Sequence, residues 1–354
     1  MHTDTAKKVL MYGNEVLAEA AIQAGCRCYF GYPITPQNEI SAYLSRRMPE
    51  VGGVFLQAES ELAAISMVHG ASAVGARALT SSSSPGVSLK QEGISYIAGS
   101  ELPAVIVNVM RGGPGLGNIG PSQSDYFQAV KGGGHGDYHQ IVLAPSSAQE
   151  VSDLTFLAFD LADKYRMPVM IIFDGVIGQM MEPVVIARKE QIELPSKDWA
   201  LTGCAGRKPR VIKSLYLGDK ALERHNGKLQ EKYGKIAAKE VRCEALHTED
   251  AKLIIVAYGI CARLCKSAMI DLRNKGLKIG MIKPITLWPF PSATIAGLAG
   301  RGKSFLTVEM SFGQMVEDVR LAVNGASPVH FYGRGGGETL LKEEILREIE
   351  RLYG

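Results

Sequence analysis

The chain has 354 residues, with 39 Lys and Arg against 36 Asp and Glu, a formal net charge of +3. At 46% hydrophobic and 21% charged it has the composition of a globular protein, and it is too long for a single hydrophobic core. The near-balanced charge carries no basic block, which argues against a nucleic-acid partner. No apolar run approaches the roughly 20 residues of a membrane span.

Residues Met1 to Lys8 are polar and lead into a periodic segment, so no signal peptide is expected. A helix over Glu15–Ala24 ends at Gly25, and a short strand at Tyr29-Phe30 runs into Gly31-Tyr32-Pro33-Ile34-Thr35-Pro36. Pro33 and Pro36 restrict the backbone around Ile34-Thr35, fixing one hydroxyl at the carboxyl end of a strand. Helix Gln37–Arg47, strand Val54–Leu56 and helix Glu59–Val74 follow. Strand Ala76–Thr80 then leads into a serine loop, Ser81–Gly86, and a helix over Val87–Gly99. Strand Ala104–Val109 ends in Arg111-Gly112-Gly113-Pro114-Gly115-Leu116-Gly117. Strand Ile141–Leu143, helix Ala148–Lys164 and strand Val169–Phe173 complete this part. Short apolar strands separated by long helices predict an α/β fold, a doubly wound parallel sheet covered on both faces.

Between Met180 and Glu249 the pattern weakens into a polar connection, helical over Lys220–Lys235, that wraps the body or a partner. A second, smaller α/β unit then reads as strand Leu253–Ala257, helix Ala262–Asn274, strand Lys278–Ile282 and helix Ala293–Leu298. Strand Ser304–Val308, helix Gln314–Val323 and helix Glu338–Leu352 end it. The six cysteines (Cys26, Cys28, Cys204, Cys243, Cys261, Cys265) match no zinc or iron–sulfur spacing. They are expected as reduced, buried thiols of a cytoplasmic protein.

Three loops, Pro33–Pro36, Ser81–Gly86 and Arg111–Gly117, each follow a parallel strand and should share one sheet edge, where open α/β sheets bind ligands. Arg111 offers a fixed, always charged fork for a carboxylate. Glu59 is accounted for by the helix dipole. Glu61 borders the buried face predicted for Leu62, Ile65, Val68 and Ala71, where a desolvated carboxylate could hold or donate a proton near neutrality. Gly115-Leu116-Gly117-Asn118-Ile119-Gly120 fits a dinucleotide-binding glycine pattern, but Pro114 and Pro121 bracket it and the unit is about the fourth in order, not the first. Lys131–Asp137 extends this glycine-rich region as a mobile lid or partner contact. His69, His135 and His139 read as surface or satisfied core histidines.

The stretches Gly31–Pro36, Glu59-Ser60-Glu61-Leu62-Ala63, Thr80–Gly86, Asn108-Val109-Met110-Arg111-Gly112-Gly113-Pro114 and Phe173-Asp174-Gly175 together resemble one family. It is the α-type subunit of the thiamine-diphosphate-dependent 2-oxoacid:ferredoxin oxidoreductases, most closely the branched-chain (2-oxoisovalerate) and 2-oxoglutarate members. The resemblance implies a pyrimidine-binding domain over residues 1–180, a connecting segment over 181–250 and a transketolase C-terminal-like domain over 251–354. It implies that Glu61 is catalytic, hydrogen-bonding N1′ of the aminopyrimidine. Pro33, Ile34, Ser83 and Ser84 complete the cofactor site, and Thr35 and Arg111 hold the 2-oxoacid. One departure is Ser84, where many relatives have glycine.

The implied reaction is oxidative decarboxylation to acyl-CoA, with coenzyme A as co-substrate and ferredoxin taking the electrons. The chain has no Gly-Asp-Gly segment followed by an Asn pair to anchor a Mg²⁺-diphosphate, and no metal ligands are assigned to it. Mg²⁺ and 4Fe-4S clusters are therefore expected on partner chains, and the chain should be inactive alone. The implied partners are a β-type subunit carrying the diphosphate-binding domain, a γ-type subunit and a ferredoxin-like subunit or ferredoxin, in a hetero-oligomer with two copies of this chain. A non-catalytic regulatory or assembly subunit and a dinucleotide-binding oxidoreductase are the alternatives. Lack of an obvious second cation near Thr35 and Arg111 tilts the substrate towards apolar branched 2-oxoacids.

Overall fold

The computed structural model describes residues 8–188 and 193–353; residues 1–7, most of the polar N-terminal stretch, lie outside the described residues. The first part of the chain runs through β1 (Val9–Tyr12), α1 (Gly13–Gln23), β2 (Cys28–Gly31), α2 (Asn38–Glu50), β3 (Val54–Gln57), α3 (Glu61–Ala73), β4 (Ala78–Ser82), α4 (Ser84–Gly99) and β5 (Ala104–Met110). It continues with α5 (Tyr126–Val130), β6 (Ile141–Leu143), α6 (Ala148–Tyr165), β7 (Pro168–Asp174), α7 (Gly175–Gln179) and β8 (Met181–Val184). After α8 (Ala221–Lys239) come β9 (Cys243–Leu246), β10 (Leu253–Val256), α9 (Gly259–Asn274), β11 (Ile279–Pro284), β12 (Thr286–Trp288), α10 (Ser292–Ala299), β13 (Ser304–Glu309), α11 (Met315–Val323), β14 (Val329–Gly333) and α12 (Lys342–Tyr353).

The larger sheet has the order β12-β6-β7-β5-β4-β2-β3, parallel throughout except for β12. Every residue of β5 and β7 is buried, which is why both read as unbroken apolar runs. Alternate residues of β5 feed opposite faces. Val105, Val107 and Val109 enter one core with α1, α2 and α6, while Ile106 and Met110 enter another with α3 and α4. The fold is therefore α/β with helices on both faces of the sheet. The second sheet, β14-β13-β10-β11-β9, is parallel except for β9. Both cores continue into it, one through Leu253 and Ile255 and the other through Ile254 and Val256.

Five strands lie outside the sequence expectation. β1 and β8 pair antiparallel into a small ribbon. β9 lies within the stretch read as polar connection, and β14 is a half-buried edge strand without an apolar run. β12 is the consequential one. Three residues set between Pro284 and Pro289 leave the second unit and pair with β6, so the larger sheet is completed by a late segment. The connection after β8 wraps the body, through Lys197 on Asp163 (2.8 Å), Arg188 on Asp160 and Leu201 N–H on Ala73 O (2.9 Å). Cys26, Cys261 and Cys265 are buried, but Cys28 and Cys243 are half-buried and Cys204 is exposed, so only three thiols fit the buried expectation. Among the described residues no helix is long and apolar enough to cross a membrane.

Candidate active site

β2, β3, β4 and β5 are neighbours in parallel register, so their carboxyl ends open on one edge. The chain runs outward from β2 to β3, then crosses back to β4 on the other side of β2. The crevice between β2 and β4 is thus a topological switch point, the place where open α/β sheets bind ligands. These two strands pair only at Cys28–Ala78 and Tyr29–Leu79, then part. Polar side chains fill the fork. Tyr29 Oη lies 2.7 Å from Ser41 Oγ and 2.8 Å from Ser81 Oγ, Ser81 Oγ donates to Gln37 Oε1 (2.5 Å), and Gln37 Nε2 donates to Tyr32 O (3.2 Å). This network ties the Pro33–Pro36 turn to the end of β4.

Thr35 is half-buried, with Pro33 exposed and Ile34 half-buried beside it. Arg111 crosses from the end of β5 and donates through Nη1 to Thr35 O (3.1 Å) and through Nη2 to Leu116 O (3.0 Å). It is 6% exposed, its Nε has no acceptor, and it forms no ion pair among the described residues. A buried guanidinium held only by two carbonyls is a cation awaiting an anion.

The segment read as a serine loop is mostly regular structure. β4 extends through Ser82 and α4 begins at Ser84, with Pro85 in its first turn, where a proline's missing N–H costs nothing. Ser84 takes φ +23°, a conformation that favours glycine, and its side chain compensates. Its Oγ donates to Asp125 Oδ2 (2.6 Å) and accepts from Arg111 N–H (3.0 Å), while its own N–H donates to Asn108 Oδ1 (3.0 Å). Ser84 thus braces the backbone at Arg111 with a hydroxyl already engaged. Ser82 and Ser83 are fully buried, with hydroxyls that have no partner among the described residues.

α3 begins at Glu61, capped by Ser60 Oγ accepting from Ala63 N–H (3.2 Å), so exposed Glu59 lies before the helix and not in its first turn. Glu61 is 5% exposed, and its carboxylate accepts no hydrogen bond among the described residues. It lies against the first turn of α4. A methyl on Gly86 would stand 2.5 Å from Glu61 Oε1 and 2.1 Å from Ser82 Oγ. Leu62, expected on the buried face, is half-exposed, while Ile65 and Val68 are buried as read.

Lys90, one turn along α4 from Gly86, escaped the sequence reading because nothing local marks a lysine as buried. It is 0% exposed, with Nζ donating to Thr80 Oγ1 (2.5 Å) and Ser81 O (3.0 Å). Burial pulls it down to about 7, opposed by the charge of Glu61. A second cation therefore does stand near the site, although sealed from any substrate. Asp125, also unread, is pushed above the usual carboxylate range by burial, against the bonds from Ser84 and Asn108.

The glycine pattern opens no helix. The chain turns back so that Gly112 N–H donates to Gly120 O (2.9 Å), and Asn118 Nδ2 donates to Gly336 O (2.8 Å). A methyl on Gly117 would stand 1.7 Å from Gly112 O, and one on Gly120 would stand 2.2 Å from Gly337 O. Gly117 lets the loop fold on its own backbone and Gly120 permits backbone packing on the second unit, and the dinucleotide alternative loses its helix terminus. Lys131–Asp137 rests on the body. Gly133 and Gly134 pack on Gln91, His135 O accepts from Ser95 Oγ (2.8 Å), and Asp137 O accepts from Gln230 Nε2 (2.9 Å), which pins the loop along α4 and α8. His69, His135 and His139 meet Ser100, Tyr96 and Trp288, outside the site.

Residues 19–238 match the family model described as pyruvate flavodoxin/ferredoxin oxidoreductase, thiamine diphosphate-binding, and residues 251–345 match pyruvate:ferredoxin oxidoreductase core domain II. The chain is 52% identical to the ketoisovalerate oxidoreductase subunit VorB of Methanothermobacter marburgensis over 98% of each chain. It is 36% identical to the 2-oxoglutarate synthase subunit KorA of Methanocaldococcus jannaschii over 97% of this chain and 99% of that one. A 2-oxoglutarate:ferredoxin oxidoreductase from Magnetococcus marinus, solved with 2-oxoglutarate, coenzyme A and succinyl-CoA bound, superimposes with a TM-score of 0.90 at 27% identity. That match covers 99% of this chain and 66% of that chain. A split-gene transketolase shares the fold, with a TM-score of 0.56 at 14% identity. The chain therefore belongs to the 2-oxoacid:ferredoxin oxidoreductases, as an alpha-type subunit whose first unit is a thiamine-diphosphate-binding domain.

Proposed function

We propose that this chain supplies the pyrimidine half of a thiamine diphosphate site and the carboxylate clamp for a branched, apolar 2-oxoacid, 2-oxoisovalerate before 2-oxoglutarate. One observation carries the reading: among the described residues a buried carboxylate without a donor, Glu61 at the start of α3, and a buried guanidinium without an anion, Arg111 after β5, stand at one sheet edge. Their chemistry fits the cofactor and the substrate. Glu61 suits the ring nitrogen of an aminopyrimidine, and the close approach of Gly86 fixes where its carboxylate sits. Arg111 suits the substrate carboxylate.

Thiamine diphosphate, when bound, supplies the chemistry that makes the decarboxylation possible. Glu61 holds the pyrimidine through N1′ and keeps or releases a proton there. Pro33 and Ile34 form a rigid apolar wall beside the ring, with Ser83 behind it. Thr35 presents Oγ1 to the keto group, held in place because Arg111 grips its carbonyl. Arg111 fixes the substrate carboxylate and so aims the keto carbon. Ser84 acts through Arg111, bracing its backbone from the first turn of α4.

The remaining half of the site we assign to a β-type subunit that brings the diphosphate-binding domain and Mg²⁺. A γ-type subunit and 4Fe-4S proteins carry electrons to ferredoxin, and coenzyme A takes the acyl group. Relatives named as lettered subunits support an assembly of this kind. Half-exposed Tyr32, Leu56, Leu62 and Leu89 offer the partner an apolar surface at the same edge. Free thiols suit a reducing, cytoplasmic setting. The test is to assay the reconstituted complex with 2-oxoisovalerate, 2-oxoglutarate and pyruvate. The branched acid should give the highest kcat/KM and the isolated chain none; turnover by the chain alone would refute the shared site.

A further inference from the structure

Gln37 joins two sides of the site, and the reaction as derived so far gives it no part. It is fully buried, as are Tyr29 and Ser81. Its Nε2 donates to Tyr32 O (3.2 Å) and its backbone N–H to Ile34 O (3.1 Å), so it holds the turn at two points. Arg111 donates to Thr35 O (3.1 Å) and Asn14 Nδ2 to Pro36 O (2.8 Å). The backbone of the turn is thereby fixed on both sides of Thr35. The Thr35 hydroxyl is left different. Among the described residues it meets only Asn38 Nδ2 (3.4 Å), a donor, so its own proton stays free for an acceptor.

The other end of the Gln37 amide leads to β4. A carbonyl only accepts, so Nε2 must face Tyr32 O, and Oε1 is left to accept from Ser81 Oγ (2.5 Å). Ser81 has one proton, so Tyr29 Oη donates to it (2.8 Å), and Ser41 Oγ in turn donates to Tyr29 (2.7 Å). The bonds run one way, from Ser41 through Tyr29, Ser81 and Gln37 to Tyr32 O. Such a chain is more rigid than its separate bonds, because each donor polarises the next. Gly31 belongs to the same device, since a methyl there would stand 2.4 Å from Tyr29 Oη. Ser81 is followed on β4 by Ser82, which with Glu61 closes on Gly86.

We propose that Gln37 is a positioning residue for the 2-oxoacid reaction, locking the Pro33–Pro36 turn to β4 and so setting where the Thr35 hydroxyl stands. Gln37 touches neither cofactor nor substrate. It acts through Tyr32 O and Ile34 O, which precede Thr35 in the turn, and through Ser81 on the cofactor side. The inference rests on Thr35 facing the keto group.

The test is steady-state kinetics of the reconstituted complex on 2-oxoisovalerate for the wild type, Q37M, T35V and the double variant. Thiamine diphosphate affinity is measured separately by calorimetry. Methionine fills the space of the glutamine and makes neither side-chain bond. Q37M should lower kcat about tenfold, because a displaced hydroxyl no longer meets the reacting group. KM and cofactor affinity should stay within about twofold, since Arg111 keeps its bond to Leu116 O and Glu61 stands on α3. The double variant should be no slower than T35V, the two acting through one hydroxyl. S81A leaves the bond to Tyr32 O and frees the other end of the amide. It should lower kcat less, about threefold, and it decides the matter if Q37M does not assemble. If Q37M and S81A melt at lower temperature but keep the wild-type kcat, or if the losses in Q37M and T35V multiply, Gln37 only braces the fold and the proposal fails. If T35V itself keeps the wild-type kcat, the reading of Thr35 fails instead.

Discussion

Arg111 shows how much a single side chain commits to geometry. Its two terminal nitrogens are spent on carbonyls of two different loops, so the guanidinium plane is set before any substrate arrives. Lysine would keep the charge and lose the fork. In the complex, R111K should raise KM for the 2-oxoacid by roughly ten- to a hundredfold, with kcat falling less; an unchanged KM would remove Arg111 from substrate binding. Asp174, at the end of β7, is wholly buried, and burial pushes it up to about 6 although Val176 N–H and Ile177 N–H donate to it. A carboxyl raised in the folded state contributes stability below its unfolded value, and that contribution is lost as pH rises through about 6. D174N, which can still cap α7, should stabilise the chain by up to ~3 kcal/mol at pH 8 and by nothing below pH 4. Urea denaturation at the two pH values checks this.

The first turn of α4 is where elements meet the chemistry. Gly86 lets Ser82 on β4 and Glu61 on α3 approach one point, so G86A should displace the carboxylate before it disturbs the helix. The expected outcome is cofactor affinity reduced at least about tenfold with a stability loss of only ~1–3 kcal/mol. Equal affinity in the variant would show that the close approach serves packing alone. Much of this element pattern is legible in the sequence, because β5 and β7 are buried on both faces and their apolar runs admit few other readings. Glu61, Thr35 and Arg111 stand out for a related reason, as polar groups at the ends of such runs. Lys90 and Asp125 do not, since their burial depends on contacts across helices and loops that local sequence does not record. At the start of α4 Ser-Pro-Gly suggests a turn, whereas here the fixed φ of Pro85 fits the first turn of a helix. β12 leaves no mark in the sequence, because three residues between prolines have no period to detect.

On the scale of the whole chain, the two units are built to behave as one. β12 leaves the second unit to close the edge of the first sheet, and Leu287 at its centre is 1% exposed within a core shared by both. Gln123 adds polar stitching: its side chain donates to Tyr258 O (2.9 Å) and accepts from Met310 N–H (2.9 Å). The glycine loop after Arg111 lies backbone-to-backbone on Gly337, so the element carrying the proposed substrate clamp is supported from the second unit. Loosening that joint should therefore reach the site. L287A removes three buried carbons and should cost about 2–5 kcal/mol. If the units are coupled as drawn, calorimetry of the variant will show a single transition at lower temperature, with loss of 2-oxoacid turnover following the same midpoint. Two resolved transitions, with the first unit unshifted, would mean that β12 only decorates the sheet and that the clamp at Arg111 stands without help from the second unit.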